Sequence, residues 1–222
     1  MRNPLMSSTK HSVVLVIALA AAGCASTRPV AYTGIDSSAQ LHPSAHTNDR
    51  VPLEYKTPVD WRAYSNVIVE PVVIYRGPDA QFDKNVSEED KAYLAQYMES
   101  RFSEKLGTRF KIAGAPGRDT LRVKLTLTGA KDSKRVLSTF AHFDLTGGIY
   151  NATEAVRGKE AAFTGSVSYA VEIYDSSTNH LLGAYVTKQY PNSMNVKASF
   201  GRRTASITGI KKGADQLLTY FE

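Results

Sequence analysis

Few side chains in this sequence are placed to do chemistry. Cys24 is the single cysteine of 222 residues. One thiol cannot close a disulfide within the chain, and it excludes metal sites built from cysteine clusters. The other grouping of reactive types is His142, Asp144 and Glu154, with Ser138 close by. A hydrolytic site would need these groups to converge on one pocket beside a nucleophile such as that serine. Nothing in their spacing imposes this, and scattered ionisable residues in an irregular stretch are normally solvated. Glu70, a lone acid in an apolar run, reads as solvent-facing for the same reason. His42, His46, His142 and His180 share no metal-ligand spacing. No phosphate-cradling glycine loop follows a strand, and neither a G-x-S-x-G elbow nor an H-E-x-x-H helix is present. The reading is of a chain with no catalytic residue, no metal site and no cofactor. Its chemically distinctive atom is the sulfur of Cys24.

The setting of that sulfur decides where the rest of the chain resides. Arg2 and Lys10 precede an apolar run from Val13 to Ala22, followed by Gly23 and Cys24. This is the n-region, h-region and small-residue cleavage site of a secretory signal peptide. The run is too short to span a bilayer, which takes roughly 20 residues. Val13 to Cys24, VVLVIALAAAGC, resembles a bacterial lipobox, in which Cys24 becomes residue one of the mature chain and carries lipid on its sulfur. Ala25, rather than an aspartate, resembles the residue that lets sorting machinery pass a lipoprotein to the outer membrane. More than one acyl chain at the new N-terminus gives stable anchoring, whereas one is marginal.

Composition narrows the function further. The net charge is +6, and removal of residues 1–23 with Arg2 and Lys10 leaves +4. That excess permits contact with anionic headgroups or cell-wall carboxylates. It does not call for nucleic acid, and the aromatic residues do not interleave with the basic ones as a stacking platform requires. A hydrophobic content of 42% suffices for one packed core.

The elements that would carry such a protein can be read in order. Residues 1–23 are the signal peptide, and residues 24–60 read as a lipidated cysteine plus a flexible tether rich in Ser, Thr, Pro, Ala and His. Tyr32-Thr33-Gly34-Ile35 is a small apolar island within it. Residues 61–222 read as a single domain, with Trp61 as a lid on its core. Asn66 to Tyr75 is β-branched and predicts a strand, with Pro71 requiring an edge or a bulge. Ser87-Glu88-Glu89-Asp90 supplies a helix N-terminus, and Leu94, Met98, Phe102 and Leu106 repeat every four residues. Strict alternation over Leu121 to Thr128 predicts a half-buried strand with a wet, partly basic face. Thr164 to Tyr174 and Leu181 to Gln189 predict a hairpin about Asp175 to Asn179. Ile207, Ile210, Ala214, Leu217 and Phe221 form the stripe of a second helix. Residues 131–163 are irregular, which in a compact domain marks a functional or disordered stretch. The expected fold is α+β, a mainly antiparallel sheet covered on one side by two amphipathic helices near 87–106 and 201–221.

With these pieces the chain resembles the bacterial lipoprotein family designated domain of unknown function 3313 (DUF3313). The matching residues are Cys24 in its lipobox, Tyr32-Thr33-Gly34-Ile35, Val67-Ile68-Val69-Glu70-Pro71-Val72, Leu121-Arg122-Val123, Glu172-Ile173-Tyr174-Asp175-Ser176 and Leu181-Leu182. The resemblance implies an envelope lipoprotein with no assigned catalytic residues. The functional expectation is a non-enzymatic lipoprotein held in the outer membrane through Cys24. It faces the periplasm and binds an envelope protein or peptidoglycan through a sheet edge or residues 131–163. The alternative is a small-molecule or lipid carrier with an apolar pocket between sheet and helices.

Overall fold

The computed structural model describes residues 28–45, 50–132, 165–191 and 203–222. Along the chain the described elements are β1 (His42–Pro43), β2 (Leu53–Lys56), β3 (Asn66–Val69), β4 (Val73–Ile74), β5 (Gln81–Phe82), α1 (Glu88–Leu106), β6 (Lys111–Ile112), β7 (Thr120–Lys131), β8 (Ser166–Asp175), β9 (Leu181–Gln189) and α2 (Thr204–Tyr220). The described strands form one sheet in the order β1-β2-β9-β8-β7-β3-β6, with β4 and β5 also on β7.

This sheet corrects the expectation of a mainly antiparallel one. β7-β8, β8-β9, β9-β2 and β2-β1 are antiparallel, but β3, β4 and β5 pair with β7 in parallel, and so does β6 with β3. The cause is α1. A helix between two strands returns the chain to the end it started from, so the next strand enters in the same direction. The predicted strand over 66–75 also divides. Val69 lies opposite Val123 and Val73 opposite Thr126, so one chain advances four residues while the other advances three. The extra residue falls around Pro71, which has no amide hydrogen to give a ladder.

Both helices pack on one face of the sheet. α1 begins with the full capping box, Ser87 and Asp90 each bonding the other's backbone amide, and its first turn is acidic. Its buried Leu94, Met98, Phe102 and Leu106 meet Ile210, Ala214 and Leu217 of α2 and the inward residues of β7 and β8. The helices run side by side in the same direction. Arg203 reaches Asp90 at their starts (2.5 Å) and Lys105 reaches Asp215 near their ends (2.7 Å). Trp61 packs edge-on against Phe221 at 5.1 Å, closing one end of the core as a lid.

The opposite face departs from the sequence reading. Residues 28–41, expected within a tether, lie across it. Tyr32 and Ile35 are buried there with Tyr75, Ala170 and Val186. β2, also expected in the tether, extends the sheet along β9. The expected wet face of β7 is therefore covered, and Thr126 and Thr128 on it are buried.

Candidate functional site

The face under residues 28–41 holds a connected set of polar contacts. Tyr32 takes a positive φ of 47° and turns the chain, with Ile35 N–H bonding its carbonyl at 3.1 Å. Its ring meets the edge of Tyr75 at 5.4 Å, and its hydroxyl donates to Gln81 Oε1 at 3.0 Å. Asp79 accepts from the Thr33 amide (3.1 Å) and from the Tyr75 hydroxyl (2.5 Å), which in turn accepts from the Gly34 amide (3.2 Å). These donors hold the Asp79 carboxyl below its ordinary range, the Tyr75 hydroxyl contributing most. A Cβ on Gly34 would stand 2.8 Å from the Tyr75 ring, so only glycine allows this close approach. The Tyr32-Thr33-Gly34-Ile35 island is thus a latch that fastens the N-terminal segment to the loop before β5.

Deeper under the latch lies Glu172, fully buried on β8. Its Oε1 accepts from the Ser37 amide at 2.6 Å. Lys124, directly across from it on β7, places Nζ 3.6 Å from Oε2 and 2.6 Å from Asp36 Oδ2. The longer distance is an ion-pair contact rather than a hydrogen bond. Burial alone would lower the Lys124 pKa, but Asp36 and Glu172 outweigh it and raise it above the usual lysine value. One cation therefore ties the N-terminal segment and β8 together.

Two cavities border this framework. The larger, about 330 Å³, lies at the end of the sheet where β7 finishes and β8 begins, lined by Gln81, Asp83, Lys131, Ser166, Ser168 and Lys188. The smaller, about 170 Å³, lies between β2, β9 and α2, lined by Ser44, Glu54, Lys56, Tyr185, Gln216 and Tyr220. Burial pushes the Glu54 carboxyl up, yet Lys56 (2.8 Å) and the Ser44 hydroxyl (2.7 Å) hold it below the ordinary value. Burial pushes the Tyr220 hydroxyl up to about 12. The smaller cavity presents a carboxylate fixed by Lys56 and Ser44 next to the hydroxyls of Tyr185 and Tyr220.

The hairpin end of the sheet is held by another carboxylate. Asp175 accepts from the amides of Ser177 (3.0 Å) and Thr178 (2.8 Å), from both their hydroxyls, and from the Tyr64 hydroxyl at 3.0 Å. Burial would raise its pKa, but these donors dominate and hold it far below the carboxylate range. A folded-state pKa below the unfolded one gives stability that is present above about pH 4 and is lost as pH falls towards the folded value. Asp175→Ala is expected to cost about 2 kcal/mol at pH 7 and much less at pH 3, measured by urea unfolding at both. An equal loss at the two pH values would contradict this assignment.

The residues singled out in the sequence fall as follows. Cys24 and the grouping of Ser138, His142, Asp144 and Glu154 lie outside the described residues, as does most of 131–163. Glu70 does not point freely into solvent, because it bonds Arg122 at 2.6 Å. His42 is exposed on β1, and His180 closes the hairpin turn. Among the described residues no group of three or more His, Cys, Asp or Glu side chains could hold a metal ion. No described helix is long and apolar enough to cross a membrane. The sequence reading missed Glu172, Lys124 and Glu54. A signal for the first existed, since Glu172 is the single acid inside the apolar run Val167 to Tyr174.

The fold and its latch define an α+β domain with a mixed sheet, two helices on one face and an N-terminal strap on the other. The chain belongs to the family described as protein of unknown function (DUF3313), matched over residues 31–217, a span that opens beside Tyr32. Similar solved structures include a PelC dodecamer from Paraburkholderia phytofirmans (10% identity, TM-score 0.38, 72% of this chain and 89% of that one). A DUF330 protein from Xanthomonas campestris shares 9% identity at TM-score 0.37, over 74% of this chain and 88% of that one. A DUF4136 protein from Bacteroides thetaiotaomicron shares 12% identity at TM-score 0.39, over 78% and 98%. No curated protein matches the sequence.

Proposed function

We propose that this chain is a non-enzymatic outer-membrane lipoprotein, held by acyl chains on Cys24 and facing the periplasm. Its domain serves as an interaction module for another envelope protein or for peptidoglycan. The observation that carries this reading is the attachment of Arg28, whose carbonyl accepts from Gln81 Nε2 of β5 at 2.8 Å. Three residues separate Cys24 from Arg28 in the sequence, so a lipid on that sulfur would hold the whole domain at the membrane. The carrier alternative has less support. The cavity between sheet and α2, where that alternative puts its pocket, is about 170 Å³, with Glu54 and Lys56 beside Val51, Tyr185 and Tyr220, whereas ligand pockets measure roughly 300–1,000 Å³; the 330 Å³ cavity lies at the sheet end instead.

The Cys24→Ser chain is expected to lose palmitate labelling in growing cells. Its share in the membrane pellet should fall more than about tenfold, because the acyl chains supply the anchoring. Undiminished labelling or sedimentation would count against the reading.

A further inference from the structure

The strand register places the anchor at one particular end of the domain. The carbonyl of Arg28 accepts from Gln81 Nε2 at 2.8 Å. Gln81 lies opposite Gly129 near the end of β7, Lys131 lies opposite Ser166 at the start of β8, and Val167 lies opposite Gln189 at the end of β9. Arg28 and these strand ends therefore form one end of the body. Four peptide steps from Cys24 to Arg28 reach at most about 14 Å. β7 runs from Lys131 at this end to Thr120 at the other, eleven steps or roughly 36 Å away. An anchor on Cys24 can thus bring the Arg28 end to a lipid surface, and it cannot bring the Thr120 end there without turning the domain over.

Charge favours the same orientation. Among the described residues the near end carries Arg28, Arg50, Lys84, Lys131 and Lys188 against Asp79, Asp83 and Asp132, with Arg28 and Lys84 exposed and Lys188 buried. The first turn of α1 beside it adds three acids, Glu88, Glu89 and Asp90, next to the three cations Arg76, Lys91 and Arg203, with Glu88 bonded to Arg76 and Lys91 and Asp90 to Arg203. At the far end Arg62, Arg109, Lys111 and Arg118 are equalled in number by Asp60, Asp119, Asp175 and Glu222. Basic residues near an anionic leaflet are attracted over about a Debye length, roughly 8 Å.

We propose that the domain stands on the bilayer with its Arg28–Lys131–Lys188 end against the lipid headgroups. The hairpin and Trp61 end then points away from the bilayer. This inference rests on the lipid anchor proposed above.

The lipidated chain itself provides the test, because a lipid-blocked Cys24 leaves an introduced cysteine as its only thiol. Lys84→Cys and Lys111→Cys, both at exposed positions, are purified from membranes, labelled with a fluorophore and reconstituted into phosphatidylethanolamine–phosphatidylglycerol liposomes carrying headgroup spin labels. Quenching at residue 84 is expected to exceed that at residue 111 at least threefold. Equal quenching, or stronger quenching at residue 111, in liposome-bound protein overturns the orientation and leaves the anchor standing. Failure of the protein to stay with the liposomes, or labelling of Cys24 itself, overturns the anchor and the orientation with it.

Discussion

Replacing Gly213 by alanine should destabilise the domain by about 3 kcal/mol, the upper part of the range for overpacking a well-filled interior. α2 meets the sheet through a seam of small residues, and at its centre a Cβ on Gly213 would stand 1.7 Å from the hydroxyl of Tyr169. That ring cannot swing aside. It is 1% exposed and packs edge-on against Phe102 at 5.7 Å. The new methyl must therefore lift the helix or displace the core. A companion substitution separates this clash from any loss of helix formation, since alanine is the better helix former and would otherwise stabilise α2. The Tyr169 hydroxyl is buried without a hydrogen-bond partner among the described residues, so Tyr169→Phe should be neutral or slightly stabilising. Combined with Gly213→Ala it should recover at least half of the loss. Urea unfolding of the four proteins checks the cycle, and a Gly213→Ala chain as stable as the parent would contradict the packing described for α2.

A comparable loss, about 3 kcal/mol, is expected from Lys124→Met, but by electrostatics. The substitution preserves the aliphatic bulk and removes the cation that faces both Asp36 and Glu172. Glu172 is fully buried, and a buried carboxylate stripped of its cation carries the desolvation penalty uncompensated. The Lys124 side chain is itself 20% exposed, which places the expectation at the low end of the range for broken buried pairs. Adding Glu172→Gln should restore most of the stability, because the amide oxygen can still accept from Ser37 N–H and no charge is left to bury. Limited proteolysis gives the second readout. In Lys124→Met the chain before β2 should be cut before the rest of the domain, since Asp36 and Ser37 are its contacts with this network. No rescue by Glu172→Gln would mean that the lysine contributes packing rather than charge.

What the sequence revealed and what it hid follow from the range of the interactions. α1 was legible because its determinants are local. Ser87 and Asp90 sit three residues apart and the buried Leu94, Met98, Phe102 and Leu106 four apart, so the helix carries its own start and its own face. The β8–β9 hairpin was legible for the same reason, down to Asn179 with its φ of 60° in the turn. Strand direction was not, because it depends on which strands become neighbours. The order strand, helix, strand was visible, but the parallel pairing of β3 with β7 joins residues more than fifty positions apart. The latch was hidden more deeply. Tyr32-Thr33-Gly34-Ile35 is too short to show a period, and its partners Tyr75, Asp79 and Gln81 lie over forty positions downstream. A stretch whose composition reads as tether thus closes one face of the sheet. The Lys124–Glu172 pair shows both sides of this. Each residue was visible as a charge in a strand, and only the register of β7 against β8 reveals that they face one another. The proposed anchor rests on the spacing of Val13 to Cys24 alone, residues that lie outside the described structure.

Intact-mass spectrometry of the chain purified from cell membranes tests the proposed anchor most directly. The expected species begins at Cys24, carries a thioether-linked diacylglyceryl group with a further acyl chain on its amino group, and has lost residues 1–23. A mass that corresponds to an unmodified Cys24 thiol, with residues 1–23 still attached, would contradict it.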